Sequence, residues 1–320
     1  MYKILPFMFW LSLVSLSQVT QAWDLGKAGS YKFESIAKNV YVMHGPLEEP
    51  NLENKGFMNN PGFIIGDKGI IVIDPGSTLQ VGRHVLAEIK KITRKPVVAV
   101  FNSHIHGDHW LANQAIREVY PNVAIYAHPL MIKKAKGSNG LEWVDLMLRL
   151  TKGASKGTQV VAPNKATVDQ QKLTIAGQQF KLHIFKAAHT DTDLMIEHVN
   201  SKTMFMGDNS FNNRIGRFDS SSSMFGAIDV LRYVKGLDIR VFVPGHGPSG
   251  KYQQAIQPFL DYLLIIQKTV KLGFTKELEP YEIKPVVVKK LKAYQQWAGF
   301  DEQIGKQVQK MFLEIEARDL

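Results

Sequence analysis

Three of the chain's ten histidines fall within six residues, His104-Ile105-His106-Gly107-Asp108-His109. The cluster follows directly on Pro96 to Phe101, whose continuous apolar character predicts a buried strand. It runs into a helical pattern over Trp110 to Val119. Polar side chains on a strand-end loop converge at the edge of a sheet, where function concentrates. The chain has no cysteine, which excludes disulfides, thiolate metal sites, iron–sulfur clusters and cysteine nucleophiles. Any metal must then be held by His, Asp or Glu, and imidazole with carboxylate is a set that suits zinc. The spacing lets the His104 and His106 rings reach one ion while Asp108 and His109 turn to a second. A solvated polar loop is the bland alternative, and so dense a run of ligand types weighs against it.

The surrounding pattern predicts an α/β fold. Phe63-Ile64-Ile65 and Ile70-Ile71-Val72-Ile73 flank Gly66-Asp67-Lys68-Gly69 as a hairpin. Asp74-Pro75-Gly76 stops its second strand, and Leu79 to Ile92 has helical spacing. Pro129 to Lys156 reads as a helical insertion or lid. Hairpins follow at Leu173 to Phe185 and Leu194 to Met206, then a helix over Met224 to Val234 and a strand over Arg240 to Val243. One long helix is expected over Gln254 to Val270, and a helical tail from Pro285. Strand runs interrupted by single helices, twice over, imply two sheets with helices outside, a four-layer αββα domain. No G-x-G-x-x-G or Walker-type loop supports a dinucleotide or P-loop reading.

Residues 1–22 have the shape of a secretory signal: Lys3, an apolar run from Ile4 to Leu16, and Ala22 before the expected cut. The run is shorter than the roughly 20 residues of a spanning helix, which weighs against a retained anchor. Residues 23–320 would form the mature, periplasmic or secreted domain, with the insertion at about 129–156 and a helical extension at about 252–320. The formal charge of +10 is spread along the chain rather than blocked. It favours small anionic partners over nucleic acid, as does export, and no stable membrane insertion is expected after cleavage.

The motif His104-x-His106-x-Asp108-His109 resembles that of the metallo-β-lactamase superfamily. Further elements follow in the family's order: Asp74 at a strand end, His189 in Ala188-His189-Thr190-Asp191, Asp208 in Met206-Gly207-Asp208, and His246 in Pro244-Gly245-His246-Gly247. The resemblance implies that His104, His106 and His189 hold one metal and Asp108, His109 and His246 the other, with Asp208 bridging. It implies two zinc ions about 3.5–4 Å apart sharing a hydroxide nucleophile, with iron or manganese left open as the native metal. Asp108 would also orient the nucleophile. Asp74 is either a support for a ligand or a turn residue. Lactamases with a cysteine ligand are excluded, and the lactamase subclass with this motif usually lacks an aspartate like Asp208. The site is therefore more similar to glyoxalase II and its hydrolase relatives. Asn212 to Arg217 and Val243 to Pro248 resemble the exported zinc hydrolases of quinoprotein systems.

The implied function is cleavage of an ester, thioester, lactone or lactam. A mononuclear iron oxygenase similar to persulfide dioxygenases, using His104, His189 and Asp208, is the alternative, as is a metallo-β-lactamase proper. Of the other histidines, His44, His84, His128, His183 and His198 read as structural or surface residues. Arg214 and Arg217 read as a solvated loop sooner than an anion site, and Trp143, Leu146 and Met147 as core sooner than a lid.

Overall fold

The computed structural model describes residues 29–319; the expected signal over 1–22 lies outside the described residues. The first sheet has seven strands, β1 (Glu34–Ala37), β2 (Val40–Val42), β3 (Gly62–Ile65), β4 (Ile70–Ile73), β5 (Val97–Phe101), β6 (Ala124–Ala127) and β7 (Lys165–Ala166), in that spatial order. The second has five, β8 (Lys172–Ile175), β9 (Gln178–Ile184), β10 (Leu194–His198), β11 (Thr203–Phe211) and β12 (Val241–His246), in sequential spatial order. Pairing is antiparallel from β1 to β4 and parallel from β4 to β7. In the second sheet only β11 and β12 run parallel. Helices α1 (Leu79–Ile92), α2 (Gly107–Trp110), α3 (Asn113–Val119), α4 (Pro129–Lys136) and α5 (Ser138–Leu150) belong to the first half. The second half carries α6 (Met224–Lys235), α7 (Tyr252–Ala255), α8 (Gln257–Phe274), α9 (Pro280–Lys290) and α10 (Phe300–Asp319).

The buried residues fall into layers. Ile64, Ile71 and Phe101 from the first sheet pack with Phe180, Ile196 and Phe205 from the second. The other face of the first sheet buries Val72 and Val100 against Val85 and Ile89 of α1 and Ile116 of α3. The far face of the second buries Met204 and Phe242 against Leu231 of α6, Leu263 of α8 and Met311 of α10. Apolar side chains alternate between two dry faces, so each sheet needs a helical cover and the other sheet. The result is the expected αββα stack.

Three helix boundaries differ from the expected ones, each for a local reason. The helix over Trp110 to Val119 starts earlier, at Gly107, and breaks after Trp110, because the Ala112 N–H is drawn to the Gly76 carbonyl at 2.9 Å. The expected helix over 254–270 divides into α7 and α8 at Pro258, which has no N–H for the Gln254 carbonyl. Asn212 Nδ2 donates to that carbonyl instead, at 3.1 Å. The tail is already helical from Pro280, and Pro285 lies inside α9.

Candidate metal centre

Parallel pairing places the C-terminal ends of β4 and β5 at one edge, and those of β11 and β12 at the facing edge of the second sheet. Asp74 follows β4, the His104–His109 run follows β5 and opens α2, His189 lies between β9 and β10, Asp208 lies within β11, and His246 ends β12. Irregular β11–β12 register around Gly207 re-aims Asp208. A Cβ on Gly245 would lie 1.9 Å from Asp208 Oδ1, so only glycine leaves room for that carboxylate. Asn60 ties the halves together, donating through Nδ2 to the carbonyls of Pro244 at 2.9 Å and Gly247 at 2.7 Å.

Most of the rings have one nitrogen occupied and the other turned inward. Asp74 Oδ2 accepts from His109 Nδ1 at 2.8 Å and from Ser103 Oγ at 2.6 Å. Because Ser103 has given its proton to Asp74, its oxygen accepts from His104 Nδ1 at 3.0 Å. His246 Nδ1 donates to the Met58 carbonyl at 2.7 Å. His104, His109 and His246 therefore each turn Nε2 inward. His106 is turned the other way: its Nδ1 lies 3.0 Å from His189 Nε2, and its Nε2 lies 3.5 Å from Asp219 Oδ2.

The inward atoms form two groups, His104, His106, His189 and Asp208 in one, and Asp108, His109 and His246 in the other. Asp208 divides between them. Its Oδ2 lies 3.4 Å from His189 Nε2 and 3.8 Å from His104 Nε2. Its Oδ1 lies 3.0 Å from His109 Nε2 and 3.4 Å from His246 Nε2. Asp108 Oδ2 completes the second group, 3.3 Å from His109 Nε2 and 3.2 Å from His246 Nε2. All seven residues are buried.

The charge balance calls for cations. Asp74, Asp108 and Asp208 are three carboxylates within one buried cluster, which must be compensated. Burial pushes Asp208 up, but His246, His109 and His104 hold it well below the usual carboxylate range. Burial likewise raises Asp108, and His109 and His246 outweigh it. Burial and the neighbouring His109 keep His104 well below its ordinary value, and burial takes His189 down to about 3. Burial lowers His109 too, but Asp208, Asp108 and Asp74 together raise it well above normal. Ionised carboxylates and neutral imidazoles are the forms that ligate metal, so Asp108, Asp208, His104 and His189 already have them, whereas His109, and His246, which burial lowers but Asp208 raises on balance, would give up a proton on binding. His104 Nε2, His109 Nε2 and Asp208 Oδ1 are buried with no hydrogen bond among the described residues, the last two facing each other at 3.0 Å. Such orphaned atoms are costly, and two divalent cations would satisfy them. These His and Asp groups are consistent with a dinuclear metal site.

The structure resolves the two readings of Asp74 in favour of a support. Its φ of +47° is the turn contribution, while its carboxylate orients His109 and, through Ser103, His104. Asp74→Ala is expected to lower activity about 10- to 100-fold and to raise the metal concentration needed for half-maximal activity, a shift that metal titration of the apoprotein would measure. An unchanged titration curve would reduce Asp74 to a turn residue.

Three further contributors were not legible in the sequence. The Met58 carbonyl is backbone. Asp219 faces His106, and that contact holds its carboxyl well below the usual range. Its only sequence signal was the turn-forming Asp219-Ser220-Ser221. Asp193 accepts from the Thr190 N–H at 2.9 Å and from Thr190 Oγ1 at 2.6 Å, closing the turn that carries His189, and burial pushes it up to about 7.

The remaining histidines lie outside the cluster. His84 bonds to the Tyr31 carbonyl, His128 accepts from the Leu130 N–H, His183 joins Tyr233 and Glu197, and His44 joins Ser249. His198 is buried at the far end of β10, bonded to Gln178 Oε1 at 2.9 Å and Ser201 Oγ at 2.6 Å. His198→Ala is expected to cost about 1–3 kcal/mol in stability by leaving those partners unpaired, with activity per folded molecule unchanged. Denaturation and active-site titration on one preparation check both halves.

Two readings change. Arg214 is buried rather than solvated, donating to the Leu47 carbonyl and pairing with Glu49 at 2.5 Å. Met147 is core, but Trp143 and Leu146 are only half-buried and wall a cleft of about 450 Å³ above the two groups.

A family model for the metallo-beta-lactamase superfamily matches residues 54–246. A probable metallo-hydrolase from Streptococcus pyogenes is 23% identical over 204 residues, 59% of this chain and 79% of that protein. A probable metallo-hydrolase from Methanocaldococcus jannaschii is 27% identical over 205 residues, 62% of this chain and 92% of that protein. The solved structure of a stereoselective inverting sec-alkylsulfatase from Pseudomonas sp. is similar at a TM-score of 0.69 and 18% identity, covering 89% of this chain and 50% of that one. That likeness speaks for the fold, and the family match spans most of the motifs from Asp74 to His246. The chain is a metal-dependent hydrolase belonging to the metallo-beta-lactamase superfamily.

Proposed function

We propose that the protein is an exported dinuclear zinc hydrolase that cleaves a carbonyl ester, thioester, lactone or lactam. The observation that carries this reading is the division of Asp208, one oxygen facing each group of candidate ligands. His104, His106 and His189 would hold one ion, Asp108, His109 and His246 the other, and Asp208 both. Zinc pairs supply Lewis acidity toward a carbonyl oxygen and a water made acidic enough to attack near neutral pH. The chain's own residues prepare for this. Asp74, Ser103 and the Met58 carbonyl fix which nitrogen His104, His109 and His246 present, Asp108 is placed to orient the nucleophile, and Trp143 and Leu146 shield the site from bulk water.

The alkylsulfatase likeness raises a second substrate class, a sulfate ester, and supports anionic substrates in general. The decisive experiment is to purify the protein, measure its metal content, and screen esters, thioesters, lactones, β-lactams and alkyl sulfates. Metal-dependent turnover of a carbonyl substrate supports the reading. Turnover of alkyl sulfates alone replaces the substrate class, and a single iron per chain points to oxygenase chemistry instead. Export rests on Lys3, the Ile4 to Leu16 run and Ala22. No helix among the described residues is long and apolar enough to cross a membrane. An N-terminus beginning at Trp23 in periplasmic protein is the expected result.

A further inference from the structure

The cleft above the candidate metal centre has two branches. The larger has Met58, Leu150, Phe211 and Ile215 in its lining. The smaller, about 310 Å³, is polar, with Asn139, Ser220 and Ser221 in its wall. Both share His106, Trp143, Leu146 and Arg217, so Arg217 lines the junction together with Trp143 and the candidate ligand His106.

Most charges around this space are already committed. Arg214 pairs with Glu49, Lys134 with Asp191 at 2.6 Å, and Glu142 accepts from Asn139 Nδ2 at 2.8 Å. Asp219 is engaged by Ser221 and His106. Arg217 has no ion pair or hydrogen bond among the described residues, although Asp219 lines the same branch. Lys306 and Glu302, one turn apart on α10, line only the larger branch, and Lys306 likewise has no ion pair among the described residues. Gln303, also on α10 and in the lining, keeps a buried side-chain oxygen without a partner among the described residues.

An exposed guanidinium without an ion pair among the described residues, at the meeting of a more apolar and a more polar branch, recognises an anion on a molecule whose other part is apolar. We infer that the substrate is an amphiphilic anion: an apolar chain on the Met58–Leu150 wall, and a carboxylate or similar oxyanion, separate from the scissile group, held by Arg217. This rests on the hydrolase reading above and deepens it by naming the substrate class.

The test compares two esters of equal chain length, 4-nitrophenyl hydrogen suberate and 4-nitrophenyl methyl suberate, with the two-metal enzyme. The expected result is a kcat/KM at least about tenfold higher for the anionic probe, carried by KM and weakened by salt. In Arg217→Gln that preference is expected to fall by about tenfold, and Arg217→Lys should restore part of it. A second readout needs no turnover: calorimetric binding of octane-1-sulfonate, with octan-1-ol as the neutral control. Sulfonate binding weakened by Arg217→Gln supports the assignment. Equal use of both probes, or sulfonate binding indifferent to Arg217, overturns it. If neither ester is hydrolysed, the ester reading fails by itself, and the sulfonate titration still decides the role of Arg217.

Discussion

Asp208→Asn is expected to lower kcat by at least about a hundredfold while KM moves several-fold at most. The substitution keeps the side chain's size and removes its charge. Asp208 is the one side chain with an oxygen on each group of candidate ligands, at 3.4 Å from His189 and 3.0 Å from His109. Losing that charge weakens the hold on the second ion and loosens the spacing of the pair, and both effects bear on the transition state more than on the bound substrate. The variant should fold, because the cavity beside Gly245 that accommodates the carboxylate also accommodates an amide. Metal titration of the apo variant, followed by steady-state kinetics, reads the two effects separately. Wild-type activity with both ions bound at wild-type affinity would remove Asp208 from the site and move the protein toward the lactamase-like subclass that lacks this ligand.

How much of this could be seen in the chain alone depended on sequence distance. The His104–His109 run is contiguous, so its strand-end placement and ligand chemistry followed from periodicity and residue type. His189, Asp208 and His246 are single residues in separate loops and strands, and nothing in local spacing joins them. Only family resemblance singled them out, and the parallel pairing of β4 with β5 and β11 with β12 shows why they meet. Residues that act on the ligands rather than on metal were harder to see. Asp219 reaches His106 across more than a hundred positions, and the Met58 carbonyl has no side-chain signature. Arg214 looked like a loop cation because Glu49, its partner, is distant in sequence. The central strands were easy to read, since the apolar run is continuous where a strand such as β4 or β5 is dry on both faces. Helix breaks were not, because the contact of Ala112 with Gly76 is tertiary.

Exhaustive chelation is expected to abolish hydrolysis and to lower the melting temperature by on the order of 10 °C, with both recovered at two equivalents of zinc. The activity loss follows from the chemistry the ions supply. The stability loss follows from linkage. A metal held at a thousandfold excess over its dissociation constant contributes about 4 kcal/mol to the folded state, and each kcal/mol shifts the midpoint by roughly 2–4 °C in a domain of about this size. Its removal also leaves Asp74, Asp108 and Asp208 buried together, with His109 and His246, both lowered by burial but raised on balance by the facing carboxylates, as the cations that compensate them. Stoichiometry is the sharper measurement. Seven buried candidate ligands in two groups exceed what one tetrahedral ion can use. Activity should therefore climb through the second equivalent and then level. Saturation at one equivalent, with the His109 group indifferent to substitution, would leave a single-ion site built from His104, His106, His189 and Asp208. The second group would then be a buried charge network whose role is to position Asp208.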